Sequence, residues 1–416
     1  MAAPHTLSQT GIGAAWVGQF SQADQVHAAM MMDTMLLLNE DQVITSLRTA
    51  LDRIAKGVRY RRGTVALYAE REFQENAIFP ISEVRDAKGI VRRRSQGRKG
   101  PPAVKPIRGG ARVGSEGLIA FVISQEKEAW PKIFKNQPGP DSLRARTSPA
   151  GEIVIVTDFI GSGDRVISML EKFWAVPTIR AWMSRKLIRF RIVSAAATAS
   201  GIAKVKRHRL RPEVIYDWIA PTVETQPNWM LKTEWKRLIA NYGPIEGRGA
   251  GQYGFGKDAA LIAFSYRIPN NAPAMVHHSQ DGWKALYNGP APAELHSLFG
   301  VKRVDEVIAA AAEENGICLG PTLSEGDRTT ILVLSLLKGR WHKGSEIALS
   351  SKTGLTVPAL MDVLRDALNT GLITSSGRLT DKGYAFLQAG RALERQRPLI
   401  ATAPEPYYPE SLRVPR

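Results

Sequence analysis

The stretch EIVIVTDFIGSGDRVISMLEKFW, residues 152–174, decides the fold. Residues 152–156 form an almost uninterrupted apolar run of the kind buried on both faces of a parallel sheet. The spacing predicts a strand that breaks at Asp158. Gly161 and Gly163 then permit a tight turn, and Val166, Met169, Leu170 and Phe173 start the period of an amphipathic helix. Strand, glycine turn and helix N-terminus in that order turn free backbone N–H groups and the positive end of the helix dipole into the loop. Such a loop is a ready anion site.

On both sides of this unit, strand-like segments alternate with helical ones. TVALYAER at 64–71 reads as a strand with Glu70 and Glu72 at its exit; RFRIVSAAA at 189–197 and AALIAFSYRI at 259–268 read as two more. The alternation predicts an α/β domain with a parallel sheet over residues 14–290. In its N-terminal part, SQADQVHAAMMMDTMLLL at 21–38 reads as one serine-capped helix, and EDQVITSLRTALDRIAKG at 40–57 as a second closed by Gly57. These make an N-terminal helical extension. The methionines at 30, 31, 32 and 35 suit a core better than a cofactor. GSEGLIAFVIS opens another helix with Ser115 as its cap.

Several residues have two readings. Gly114, Ser115, Glu116 and Gly117 suit a pyrophosphate loop, or simply a capped helix. Asn270 and Asn271 suit contact with a base edge, or an asparagine turn. Glu70 and Glu72 either face a ribose or are exposed strand-end charges. His277 and His278 are adjacent, so on a strand they point apart and cannot share a metal; no metal site and no catalytic triad is legible.

The 416 residues suffice for two or three domains. Their 56 lysines and arginines against 39 acids leave +17, a balance that favours a polyanionic partner such as DNA, RNA or a nucleotide, with an acidic membrane surface as the competing reading. The excess is concentrated. Residues 85–112 carry ten basic side chains, among them Arg92, Arg93 and Arg94, against Asp86 alone, and read as a long, mobile basic loop or a solvated linker. Residues 180–211 carry ten more and no acid, including Lys204, Lys206, Arg207 and Arg209. No eighteen-residue apolar stretch and no signal sequence is present, which predicts a cytoplasmic protein without membrane contact. The one cysteine, Cys318, excludes an intramolecular disulfide.

Residues 291–326 read as a helical linker. From 327 to 397 the order is helix, short helix and turn, longer helix closed by Gly371, a two-stranded wing around Ser375, Ser376 and Gly377, then a last helix: a winged helix-turn-helix. It carries eleven basic and six acidic residues. Arg365 and Lys352 suit phosphate contacts, but Asp362 and Asp366 make its long helix a poor base reader, so a protein partner is equally in view. The tail at 398–416 reads as extended.

TDFIGSGDR at 157–165 resembles the ribose-phosphate loop of class I phosphoribosyltransferases. The resemblance implies that Asp158, matching the second acid of that loop, holds ribose hydroxyls, and that Gly161, Ser162 and Gly163 cradle a 5-phosphate. Thr157 stands in place of the first acid, Asp164 in place of a glycine, and Arg165 in place of a small hydroxyl residue. AWVGQF, GSEGLIAFVIS, VTDFIGSG, the following FW, and LIAFSYRIPNNAPAM occur in an order similar to the phosphoribosyltransferase-like proteins of bacterial conflict systems. Members with a C-terminal winged helix are associated with retrons. The resemblance therefore implies an antiphage effector that binds a phosphoribosyl or nucleotide ligand and a complex of reverse transcriptase with branched RNA-DNA. It also implies magnesium with a phosphoribosyl pyrophosphate-like ligand, and bond making or breaking at the ribose anomeric carbon if the protein is an enzyme. A nucleotide-sensing winged-helix transcription regulator and a catalytically degenerate structural subunit are the alternatives, and self-association stays open.

Overall fold

Ile153, Val154, Ile155 and Val156 have no exposed surface, because their strand runs through a sheet covered on both faces. The structure, a computed structural model, describes residues 6–59, 63–85, 89–104, 115–244, 251–280, 282–299, 304–317, 319, 323–337 and 345–395. The chain divides into two units, Met1–Val301 and Lys302–Arg416. In the first it runs through α1 (Gly11–Val17), α2 (Gln25–Asp33), β1 (Leu36–Leu38), α3 (Glu40–Arg59), β2 (Thr64–Ala69), β3 (Ile81–Arg85), β4 (Val91–Ser95), α4 (Ser115–Ala129) and β5 (Phe134–Asn136). It continues through α5 (Pro140–Leu143), β6 (Ala150–Ile160), α6 (Asp164–Trp174), α7 (Pro177–Ser184), β7 (Arg189–Ala197), α8 (Ala199–Lys206), β8 (Glu213–Ile219), α9 (Trp229–Tyr242), β9 (Ile262–Phe264) and α10 (Ala274–His277).

β5, β2, β6, β7 and β8 lie side by side in that order, all parallel. From β2 the chain steps outward to β5 and then returns to the other side of β2 as β6. A reversal of this kind leaves a crevice at the carboxyl ends of the two strands. One face of the sheet is covered by α3 and α4 through Val43, Leu47, Ile119 and Val122. A second core gathers Trp16, Met31, Met32, Trp235, Met275 and Trp283; Met30 stays exposed.

Several local expectations are corrected. Residues 21–38 are not one helix: α2 stops at Asp33, and Leu36, Leu37 and Leu38 pair in parallel with Ile262, Ala263 and Phe264. Leucine's helix preference is worth only tenths of a kcal/mol, roughly, and pairing with three fully buried partners outweighs it. Asn39 then opens α3 by a reciprocal cap with Gln42, at 2.9 and 2.7 Å, and α3 runs past Gly57, whose backbone stays helical. Of 259–268 only β9 is extended, and it pairs with β1 outside the main sheet, because Arg267 and Phe264 exchange backbone hydrogen bonds and turn the chain. β6 does not break at Asp158; it stays paired with β7 through Phe159–Ala196 and Ile160–Ala197. Within 85–112, Val91–Ser95 is a strand and no mobile loop, antiparallel to β3, with Glu83 opposite Arg93 in the ladder. Residues 86–88 and 105–112 lie outside the described residues.

The second unit contains α11 (Val304–Glu314), α12 (Glu325–Leu336), α13 (Ser345–Thr353), α14 (Val357–Asn369) and α15 (Asp381–Arg395). Thr356 caps α14, and Gly371, at φ 74°, follows its end. Ile373 and Leu379 bridge antiparallel as the wing. Ile308 and Ala311 of α11 share a core with Leu332, Leu360 and Leu364, so part of the stretch read as a linker is built into this unit. Cys318 and the 398–416 tail lie outside the described residues. No helix among the described residues is long and apolar enough to cross a membrane.

Candidate functional site

β2 and β6 deliver their last residues to the crevice where the strand order reverses. Glu70 leaves β2 with its N–H still bonded to the Val156 carbonyl, 2.8 Å away, so its position is set by the sheet. It is buried, as are Thr157 and Asp158 on β6, while Glu72 is exposed. Glu70 is therefore no exposed strand-end charge. Arg165, in the first turn of α6, reaches back with Nε 3.1 Å from Glu70 Oε1 and Nη2 3.7 Å from Glu116 Oε1 on α4. Burial pushes the Glu70 carboxyl up to about 7; the Arg165 charge opposes this, and Asp158, Glu116 and Glu72 add to it. The Thr157 hydroxyl donates to Glu70 Oε2 at 3.4 Å.

The other side of Asp158 is held by residues that sequence reasoning missed. The Tyr266 hydroxyl donates to Asp158 Oδ2 at 3.0 Å, and Arg267 Nη2 lies 3.9 Å from the same oxygen. Burial, and then the Asp158 charge, hold the Tyr266 phenol above its ordinary range, so it remains a donor at neutral pH. No pattern in 259–268 could single these two out, because their place depends on β9 lying beside β1.

The turn from β6 to α6 has Gly163 as N-cap in the left-handed region, φ 81°. First-turn amides of such a helix lack intrahelical acceptors. The Asp164 carboxylate accepts from the Ser162 hydroxyl at 2.9 Å and pairs with Lys204, so its charge is offset within the fold. Asn271 walls the turn: a Cβ at position 161 would lie 2.2 Å from its Cγ, and its Nδ2 donates to the Phe255 carbonyl at 2.7 Å. Beneath the turn, the Thr198 hydroxyl donates to the Gly161 carbonyl at 2.7 Å, and a Cβ at Gly201 would lie 2.0 Å from that same oxygen.

The structure thus brings together Thr157, Asp158, Gly161, Ser162, Gly163, Asp164, Arg165 and Glu116. Ser115 is buried at the start of α4 and Gly117 is half-buried within it; Gly114 lies outside the described residues. Asn271 borders the site, while Asn270 is exposed on the turn and its carbonyl accepts from Phe255 N–H. Arg92 lies in β4, where Arg93 and Arg94 are exposed. Lys206 and Arg207 are also exposed, whereas Lys204 is tied to Asp164 and Arg209 to Glu171. On α14, Arg365 is paired with Asp362 at 2.8 Å and Asp366 is exposed.

Compared with protein-family models, residues 14–288 match PRTase-CE, and residues 331–414 match the model described as wHTH-PRTase associated. No curated protein matches the chain.

Proposed function

The chain belongs to the PRTase-CE family, and from that premise we propose that its crevice binds a ribosyl ligand carrying phosphate. One observation carries the reading: Glu70, Asp158 and the 161–163 turn converge where the strand order reverses, the place where open α/β sheets take nucleotides. Asp158, with one oxygen held by Tyr266, presents its remaining acceptor capacity to ribose hydroxyls. The turn amides and the α6 dipole receive phosphate. Lys204 offsets the charge that Asp164 brings to the loop, while Arg165, paired with Glu70 and Glu116, is exposed enough to reach a ligand oxyanion.

The chemistry suited to this arrangement is making or breaking a bond at the ribose anomeric carbon. Two buried carboxylates favour a cation-like sugar, and Glu70, with its carboxyl near 7, is placed to hold or release a proton at neutral pH. Magnesium fits the donors present, which are hard oxygens; Glu70 Oε1 is buried and makes no hydrogen bond, its one ion-pair partner among the described residues being the Arg165 guanidinium at 3.1 Å. Glu70 and Asp158 would hold the ion, which would supply neutralisation of a pyrophosphate leaving group. A ligand-sensing role without turnover is the second reading, favoured by Thr157 in place of an acid.

We further propose that the protein serves as an antiphage effector of the retron type, docked on a reverse transcriptase with its RNA-DNA product. Support comes from the pairing of a phosphoribosyltransferase-like domain with a winged helix in one chain. The test of the site is calorimetry on the full chain with phosphoribosyl pyrophosphate and common nucleotides, with and without magnesium. Binding is expected, weakened by Asp158→Ala with an unchanged thermal transition. Absence of heat with every ligand would overturn the reading.

A further inference from the structure

The two basic segments lie far apart in sequence, yet the fold joins them. Helix α7, which carries Arg180 and is followed directly by Arg185 and Lys186, packs against β4, which carries Arg93 and Arg94. Trp174, at the end of α6, is approached by the Arg180 guanidinium at 5.9 Å and by Arg209 at 5.3 Å. One band therefore runs from β4 across α7 and the indole to the residues after α8.

A count of charges does not make an interface, because many of these cations already have partners. Arg189 and Arg191 serve buried Glu152, and Arg191 also Glu213; Lys204 serves Asp164. Among the described residues, no ion-pair partner is found for Arg93, Arg94, Arg180, Arg185 or Lys186, and all five are exposed. The acids near the band are Glu83, opposite Arg93 in the ladder, Asp141, which Arg144 already holds and which also feels the Arg94 charge, and Glu171, which takes both His208 and Arg209. Unneutralised positive charge therefore remains.

We propose that this band is a docking surface for a nucleic-acid backbone. Four of its five unpaired cations are arginines, whose planar forks match phosphate oxygens in pairs. The indole edge or face beside Arg180 and Arg209 limits where those guanidiniums point. Binding of this kind reads the spacing of phosphates and not base identity. A winged helix in the same chain is the independent reason to choose nucleic acid over other polyanions. The surface does not depend on the ribosyl-site reading.

The test uses the full chain and fluorescence anisotropy with a short labelled DNA strand, its duplex and the corresponding RNA. Arg93→Gln, Arg94→Gln, Arg180→Gln and Arg185→Gln in one protein should weaken binding at least about tenfold, without sequence preference. The log-log salt slope should shrink by roughly 0.7 to 0.9 for each phosphate that is no longer neutralised. If that protein loses its thermal transition, the pair Arg185→Gln and Lys186→Gln, at exposed positions, carries the same test with a smaller effect. Unchanged affinity and salt slope in a folded variant would overturn the proposal, and so would tighter binding to phosphatidylserine vesicles than to any nucleic acid. Nucleotide calorimetry on the same variants should be unchanged, which separates this surface from the crevice.

Discussion

At Glu70 a carboxyl group lies buried between one guanidinium and three other acids, and the balance has a measurable consequence. In the folded chain it keeps its proton up to about pH 7, whereas the unfolded chain releases it near 4.5. Below 4.5 both states are protonated and the group has no effect on stability. Between 4.5 and 7 the folded state binds the extra proton, so this group makes stability fall as pH rises. Glu70→Gln removes that slope. Urea melts from pH 4.5 to 8 should show the variant gaining on the order of 3 kcal/mol relative to the parent across the interval. Equal slopes in the two proteins would mean that Glu70 ionises freely in the crevice.

Elements meet at the 161–163 turn with no space to spare. Gly201 sits in the first turn of α8, where alanine would ordinarily favour the helix by about 1 kcal/mol. Here its Cβ would meet the Gly161 carbonyl oxygen at 2.0 Å, and that oxygen belongs to the backbone, which cannot rotate away. Gly201→Ala is therefore expected to destabilise by roughly 2 kcal/mol or more, against its helix propensity, and to weaken ligand binding by displacing the turn. Denaturant midpoints and calorimetry read the two effects separately. A stabilised variant would show that the turn yields easily and is no rigid cradle.

For the whole molecule, each unit has its own core. The first contains the sheet and the cluster around Trp16, Met31 and Trp235; the second contains α11 to α15. Deletion of residues 302–416 should leave a protein that unfolds cooperatively and binds the proposed ribosyl ligand as the full chain does. A cut at 327 instead keeps α11 without the helices that bury Ile308, Ala311 and Ala312, and should give a less soluble product. Circular dichroism melts and size-exclusion chromatography compare the two. Loss of cooperative unfolding in the 302–416 deletion would show that the first unit does not stand alone.

Patterns within one element were legible in the order of residues. The apolar run at 152–156, the glycine turn and the helix after it, and the helix, wing and helix order of 327–397 all follow from local periodicity, capping and turn chemistry. The parallel-sheet class and the winged helix come from the same source. Tertiary structure alone decided whatever depends on partners distant in sequence. Leu36–Leu38 became a strand because β9 was there to pair with it. Glu70 became a buried acid because β6 lies beside β2 and Arg165 folds back over it. Tyr266 and Arg267 joined the site through a turn more than one hundred residues from Asp158 in sequence, as the separation of 108 for Tyr266 shows. The basic residues were countable in the sequence. Which of them are neutralised and which stay free depended on acids brought in by other strands and helices, because a charge is screened by its neighbours in space and not by those along the chain.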